Sequence, residues 1–375
     1  MSLRGQMLRL VEDLRRTANT IGRPVSFMEI CGTHTVNACR SGVHSLMPKN
    51  VRLISGPGCP VCVTAQRYID ALIELGKRPE VTLTTYGDMM RVTGEGGSLE
   101  LSRSEGADVR VVTSTMDAVE IARNHPDRQV VFAAVGFETT APATAAAVLA
   151  ADRLNLDNFS ILAAHKLVIP AMHTLLSDPD LRIDGFLCPG HVSVIIGSNA
   201  YLPIVDQYHK PCVIAGFEPI QIMEGIYHLA EQVIRDEAKL ENLYAEAVQP
   251  QGNPVARQLL DKVFVPGDAA WRALGVMGES GLDLRPEYSR FDAVKRFEIE
   301  LGEDHEPPGC RCGEVITGQV SPDECKLFGT VCTPINPIGP CMVSSEGSCQ
   351  AWFKYRRNEI KRQHSRERQH EEVIA

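Results

Sequence analysis

Cys59-Pro60-Val61-Cys62 sets two thiols at a spacing that can close a small disulfide or share a metal ion. The run precedes a helix expected from Thr64 onward, and unpaired N–H groups at a helix N-terminus favour thiolate over thiol. Redox or metal chemistry is therefore the expected role of the pair, against the alternative of inert burial. The flanking Gly56-Pro57-Gly58 implies a backbone bent for a close approach. Cys31 and His34 place a soft ligand and an imidazole within one helical turn. Beside Cys59 and Cys62 they would complete a set of three thiolates and an imidazole, which suits iron or zinc.

A second constellation, Cys310, Cys312, Cys325, Cys332, Cys341 and Cys349, falls within forty residues rich in Pro and Gly and poor in periodicity. Such a stretch cannot build an ordinary apolar core, and a bound metal centre would supply the missing cross-links. Four thiolates suit structural zinc or a 4Fe-4S cluster. Zinc modules pair their cysteines closely, whereas the last four here are separated by six, eight and seven residues, which leans towards iron–sulfur. Cys39, Cys188 and Cys212 carry no such spacing and read as apolar packing. His191, after Pro-Gly, and His165, beside Lys166, are candidates for cleft acid–base or anion-contacting groups, or for hydrogen-bonded structural residues.

These residues need elements to hold them. Apolar runs at 25–30, 51–55, 81–85, 109–113, 130–135, 160–164, 185–188 and 213–215 alternate with helical periodicity at 64–75, 116–125, 143–153 and 219–238. That alternation predicts an α/β fold of βα units with mostly parallel sheet, in two lobes dividing near 124–128. An internal echo, Val-Gly-Phe-Glu-Thr-Thr at 135–140 and Ala-Gly-Phe-Glu-Pro-Ile at 215–220, supports two lobes. Polar, glycine-containing motifs follow the strand-like runs: Cys31-Gly-Thr-His34, Gly56-Pro-Gly-Cys59, Tyr86-Gly87-Asp88, Gly136-Phe-Glu-Thr-Thr, His165-Lys166, Pro189-Gly-His191 and Gly216-Phe-Glu218. Functional residues of open α/β sheets gather at the carboxyl ends of strands, so the series argues for one cleft shared by both lobes; ordinary tight turns are the alternative.

The expected domains are 19–126, 127–238, and a cluster domain at 239–375 with the N-terminal helix 1–18. The segment 354–375 reads as a solvated helix or frayed tail.

At 375 residues, 44% apolar and 23% charged, the chain is of ordinary globular composition and long enough for two or three domains. A formal charge of −9 disfavours nucleic acid and anionic membranes as partners. The longest apolar runs are broken by Glu138 and Pro142, well short of the ~18 residues a membrane span needs, and the N-terminus has no signal-peptide hydrophobic region. A cytoplasmic location is expected, where twelve cysteines favour metal or catalytic roles over structural disulfides. No phosphate-binding glycine loop, nucleophile elbow or zinc-protease helix is present, so neither nucleotide hydrolysis nor a dinucleotide cofactor is supported.

Taken in order, Cys31-Gly-Thr-His34-Thr, Gly56-Pro-Gly-Cys59-Pro-Val-Cys62-Val-Thr64, Gly136-Phe-Glu-Thr-Thr, Pro189-Gly-His191-Val, Cys312-Gly-Glu, Cys325-Lys-Leu-Phe-Gly, Cys332-Thr-Pro and Gly339-Pro-Cys341-Met-Val-Ser-Ser-Glu-Gly-Ser-Cys349 resemble the HypD-type maturation factors of nickel–iron hydrogenases. The resemblance spans nearly the whole chain. It implies two Rossmann-like lobes facing a cleft and a cysteine-rich C-terminal domain with a 4Fe-4S cluster. It implies an assembly scaffold with redox function rather than a classical enzyme. An iron ion would be held there as an Fe(CN)2CO precursor, in complex with a HypC-type chaperone and with cyanide from a HypE-type partner. By the same resemblance Cys31 is the iron ligand, Cys59 and Cys62 the redox pair or further ligands, and His34 a supporting group. Cys325, Cys332, Cys341 and Cys349 are then the cluster ligands, with no role given to Cys310 or Cys312. The competing readings are an iron–sulfur thiol–disulfide reductase and a zinc-stabilised binding module.

Overall fold

The computed structural model describes residues 2–360. All eight expected strands form: β1 (Val25–Glu29), β2 (Val51–Ser55), β3 (Val81–Thr85), β4 (Val109–Val111), β5 (Gln129–Gly136), β6 (Phe159–His165), β7 (Gly185–Pro189) and β8 (Cys212–Ala215). Three more follow, β9 (Leu240–Asn242), β10 (Phe264–Trp271) and β11 (Gly275–Leu284). Central strands such as β5 are apolar from 130 to 135 because helices cover both faces of the sheet.

The strands form two parallel sheets, β2-β1-β7-β8-β9 and β4-β3-β5-β6, so the fold is α/β with two lobes. The expected division near 124–128 does not follow these sheets. β7 returns to pair with β1 at Phe27↔Gly185, and the second sheet is an insertion between β2 and β7. Periodicity identifies strands but is blind to which strand a crossover returns to. Each sheet has one point where strand order reverses, between β1 and β7 and between β3 and β5.

The N-terminal helix also departs from expectation. Helix Leu3–Ile21 is capped by the Ser2 side chain, ends at Gly22 in the left-handed region, and buries Val11, Leu14 and Ala18. That stripe packs on helix Pro219–Ile234 of the lobe built on the five-stranded sheet, with Thr17 Oγ1 donating to Glu231 Oε1 at 3.0 Å, and not on the C-terminal region. The antiparallel hairpin β10–β11 likewise belongs with the lobes. Leu167 N donates to Ser280 O at 2.9 Å, and the hairpin packs against β6 and helix Val168–Ser177. Only the stretch after about 300 forms the cysteine-rich region, built on short helices Cys312–Ile316, Pro340–Val343 and Ser348–Tyr355. The expected tail at 354–375 lies, from 361 on, outside the described residues. No helix among the described residues is long and apolar enough to cross a membrane.

Lys166, just after β6, does not reach a cleft. It is 1% exposed, its Nζ has no hydrogen-bond partner and lies 4.4 Å from the centroid of the Tyr68 ring. Burial pushes its ammonium down to about 7, with Asp304 opposing that shift and Arg67 adding to it. The unfolded chain keeps this proton to about pH 10 while the folded chain releases it near 7. Native stability should therefore rise with pH across that window, by up to about 1.4 kcal/mol per unit. Lys166→Met is expected to flatten this rise and to gain on the order of 3 kcal/mol at pH 7. Denaturant unfolding at pH 7 and pH 10 checks it, and a less stable variant at pH 7 would show that the ammonium is satisfied after all.

Candidate functional site

Cys31 lies two residues beyond the end of β1. It is the N-cap of helix Gly32–Ser41, is buried, and its backbone N–H donates to Glu29 Oε2 at 3.1 Å. Burial pushes its thiol up to about 12, while the backbone N–H groups of His34 and Thr33 pull the other way and the Glu346 and Glu29 charges add to the rise. The second loop presses directly upon it: Gly32 N donates to Gly58 O at 3.2 Å. Cys59 then caps the short helix Pro60–Val63, and Cys62 N donates to Cys59 Sγ at 3.2 Å. The expected helix begins later, at Gln66. Cys59 and Cys62 are joined as a disulfide, with Cα atoms 5.3 Å apart.

A cavity of about 610 Å³ lies in front of Cys31. Its walls come from the loops after β1 (Ile30, Cys31), β7 (Pro189, His191), β3 (Tyr86, Asp88) and β5 (Gly136, Phe137), with Gly58 and Pro60 from the loop after β2. The two switch points thus face each other across one cleft, which is where open α/β sheets bind ligands. The two halves of the Gly-Phe-Glu echo stand after β5 and β8, one in each sheet.

The histidines separate. His191 lines the cavity, its ring stacked on Phe217 at 4.0 Å. His34 is fully buried and is not on the cavity wall. Its Nε2 meets the Gly216 carbonyl at 2.9 Å, which fixes the proton on Nε2 because a carbonyl only accepts. Burial pushes it down to about 4, so it is neutral and ties the Cys31 helix to the loop after β8. His165 is also buried, its Nε2 3.2 Å from Thr144 Oγ1, so the expected cleft role of the 165–166 pair is not met. Cys39, Cys188 and Cys212 are buried in packing, as expected.

Three acids had no role assigned to them from the sequence. Glu29 lies under Cys31, bonded to the Thr35 hydroxyl, and burial raises its carboxyl to about 8. Glu346 reaches the cavity wall and accepts from Thr33 Oγ1 at 2.8 Å. Asp88 Oδ2 accepts from Ser344 Oγ at 3.0 Å and from Ser345 N at 2.8 Å. The loop 344–346 of the cysteine-rich region therefore clips onto both lobes at the cleft mouth. Asp88 and Glu346 lay in motifs the sequence displayed, but nothing in their spacing tied them to Cys31.

In the cysteine-rich region Cys310, Cys312, Cys325, Cys332, Cys341 and Cys349 line one small apolar pocket. Cys312 Sγ lies 2.8 Å from Cys341 Sγ, and Ile338 N donates to Cys332 Sγ at 3.4 Å. Among the described residues no group of three or more His, Cys, Asp or Glu is arranged to hold a metal ion. Cys31, Cys59, Cys62 and His34 are accordingly no ready-made ligand set, since two sulfurs are spent on each other and the imidazole on Gly216. The six-cysteine pocket is likewise not preset for a single ion, but its donor set is of the kind a four-iron cluster takes: several thiols around one apolar space, with an N–H donor to sulfur. Helices Cys312–Ile316 and Pro340–Val343 both pack on Pro60–Val63, so this pocket and the Cys59–Cys62 disulfide share one core.

A family model described as "HypD: Hydrogenase formation hypA family" matches residues 6–356. A hydrogenase maturation factor HypD of Escherichia coli K12 is 45% identical, covering 94% of this chain and 96% of its own length. A second, from Azotobacter vinelandii, is 46% identical over 89% of this chain and 90% of its own, and one from Cupriavidus necator is 44% identical over 90% and 91%. The chain belongs to the HypD family of hydrogenase maturation factors.

Proposed function

We propose that the chain is a cytoplasmic scaffold on which iron is held as cargo while cyanide and carbon monoxide are added, giving the Fe(CN)2CO part of a nickel–iron hydrogenase site. The observation that carries this reading is the single sulfur of Cys31 facing a cavity between two switch points, with a disulfide one loop away. One protein thiolate leaves most of the iron's coordination open. A HypC-type chaperone would supply a further ligand at the cleft mouth, and a HypE-type partner the cyanide. Glu346 and His191 flank the entry and would exchange protons with incoming ligands. His34, neutral and buried, positions the Cys31 helix.

The pocket at Cys325, Cys332, Cys341 and Cys349 would hold a 4Fe-4S cluster, which when bound supplies single electrons. Cys59 and Cys62 are the acceptors within reach through the shared core, and two such electrons, drawn in turn from an external one-electron donor, with two protons from solvent, would convert the disulfide to two thiols available to the cleft. The same continuity favours a second reading, an iron–sulfur thiol–disulfide reductase acting on a partner protein.

An infrared spectrum of protein purified anaerobically from cells making its partners decides between them. Metal-bound cyanide and carbon monoxide bands are expected, and their loss in Cys31→Ala. An intact iron–sulfur chromophore with no such bands, after cargo release has been blocked by withholding the hydrogenase, would sink the scaffold and favour the reductase.

A further inference from the structure

The turn after β10 lies between the two sulfur centres, and the scheme above gives it no task. Trp271 bridges Thr64, and Arg272 N donates to Val63 O at 2.9 Å, so the turn is fastened to the helix that carries Cys62. On its other side it touches the cysteine-rich region. A Cβ placed on Gly313 would stand 2.6 Å from Ala273 Cβ, so the residue after Cys312 abuts the residue after Arg272.

Arg272 is 2% exposed and permanently charged. Its Nη2 donates to Gln66 Oε1 at 3.3 Å and its Nη1 to Glu306 Oε2 at 3.2 Å, while Nε has no partner. Gln66 is neutral, and the Glu306 side chain is 43% exposed, so water screens its charge. A buried cation this incompletely paired is costly unless a second negative group shares the site. The neighbouring residues point to that group: Ala273 abuts Gly313, the residue after Cys312, and Trp271 lies in one core with Cys312 and Cys341.

We infer that Arg272 is a positioning residue for electron transfer, its buried charge stabilising the reduced state of the centre held by the cysteine pocket and so setting that centre's reduction potential. The inference rests on the reading of that pocket as an iron–sulfur site. One electron added to such a centre makes it one unit more negative, with no proton required. A fixed cation nearby offsets that unit and draws the potential up. Glu306 opposes the effect by partly neutralising the guanidinium from the solvent side.

The test is a redox titration of anaerobically prepared full-length protein, followed by visible absorbance and electron paramagnetic resonance, after iron and sulfide have been counted. R272Q is expected to make the centre about tenfold harder to reduce, ~59 mV lower for a one-electron couple. R272K, which keeps the charge, should stay near the wild-type potential. E306Q should move the potential upward. A loss of packing alone would not give opposite shifts at two partners of one ion pair. Cluster-loaded R272Q titrating with the wild type overturns the inference, as does an E306Q shift in the same direction as R272Q. Should R272Q fail to fold, the upward shift of E306Q, a half-exposed substitution, still decides it. Wild-type protein without iron and sulfide overturns the cluster reading itself, an outcome the metal count separates from the others.

Discussion

Gly58→Ala is expected to abolish iron loading as completely as Cys31→Ala, although it leaves every cysteine in place. A Cβ at residue 58 would stand 2.2 Å from Cys31 N, 2.3 Å from the Ile30 carbonyl carbon and 2.5 Å from Cys31 Cα. All three are backbone atoms, which cannot swing aside as a flexible side chain does. The bend is held locally, with Gly58 N on Gly56 O at 2.8 Å and Gly32 N on Gly58 O at 3.2 Å. Relief of the clash must therefore move the start of helix Gly32–Ser41, and the Cys31 sulfur with it. A displacement of about 1 Å at a reacting group costs on the order of 100-fold in rate. The stability cost should be smaller, about 1–3 kcal/mol as for other overpacked sites. Infrared band intensity per protein, read beside the thermal midpoint, separates the two effects. Wild-type loading in a folded variant would show that the loop opens without moving Cys31.

Serine at Cys325, Cys332, Cys341 or Cys349 is expected to remove the iron–sulfur absorption and the bound sulfide, while serine at Cys310 spares both. All six cysteines line one pocket, so proximity alone does not choose four. Cys332 has a backbone N–H aimed at its sulfur, and Cys341 is buried in the core shared with Cys59 and Cys62. Cys310 lies at the partly exposed rim and engages Cys312, which in turn contacts Cys341. Loss of the cluster should also stop reduction of the Cys59–Cys62 disulfide by a one-electron donor. Iron and sulfide analysis with thiol counting reads both results. Retention of the chromophore in Cys325→Ser, together with its loss in Cys310→Ser, would replace Cys325 by Cys310 in the ligand set.

The two expectations differ in what could be read beforehand. Cys59 and Cys62 announce themselves because a two-residue spacing brings thiols together whatever the fold does. The buried strands were equally legible, since the runs 130–135 of β5 and 161–164 of β6 are apolar on both faces and only a covered parallel sheet tolerates that. Glu29 was not legible: a carboxylate in the last position of a strand looks like a solvated strand end, and only the helix that folds over it makes it buried. Lys166 and His165 misled for the converse reason. They follow a strand as the cleft motifs do, but the hairpin β10–β11 covers them, with Lys166 paired to Gly281.

By itself the sequence determined the strands β1 to β8, the Cys59–Cys62 pair and the glycine bends, because each depends on neighbours a few residues away. Tertiary structure alone decided that β7 pairs with β1 and that the lobes are nested rather than consecutive. It alone set His191 and Glu346 beside Cys31, turned His34 inward, and wedged Arg272 between two sulfur centres. Those placements depend on which crossovers close and which surfaces they bury, and such long-range pairing leaves no periodic trace along the chain.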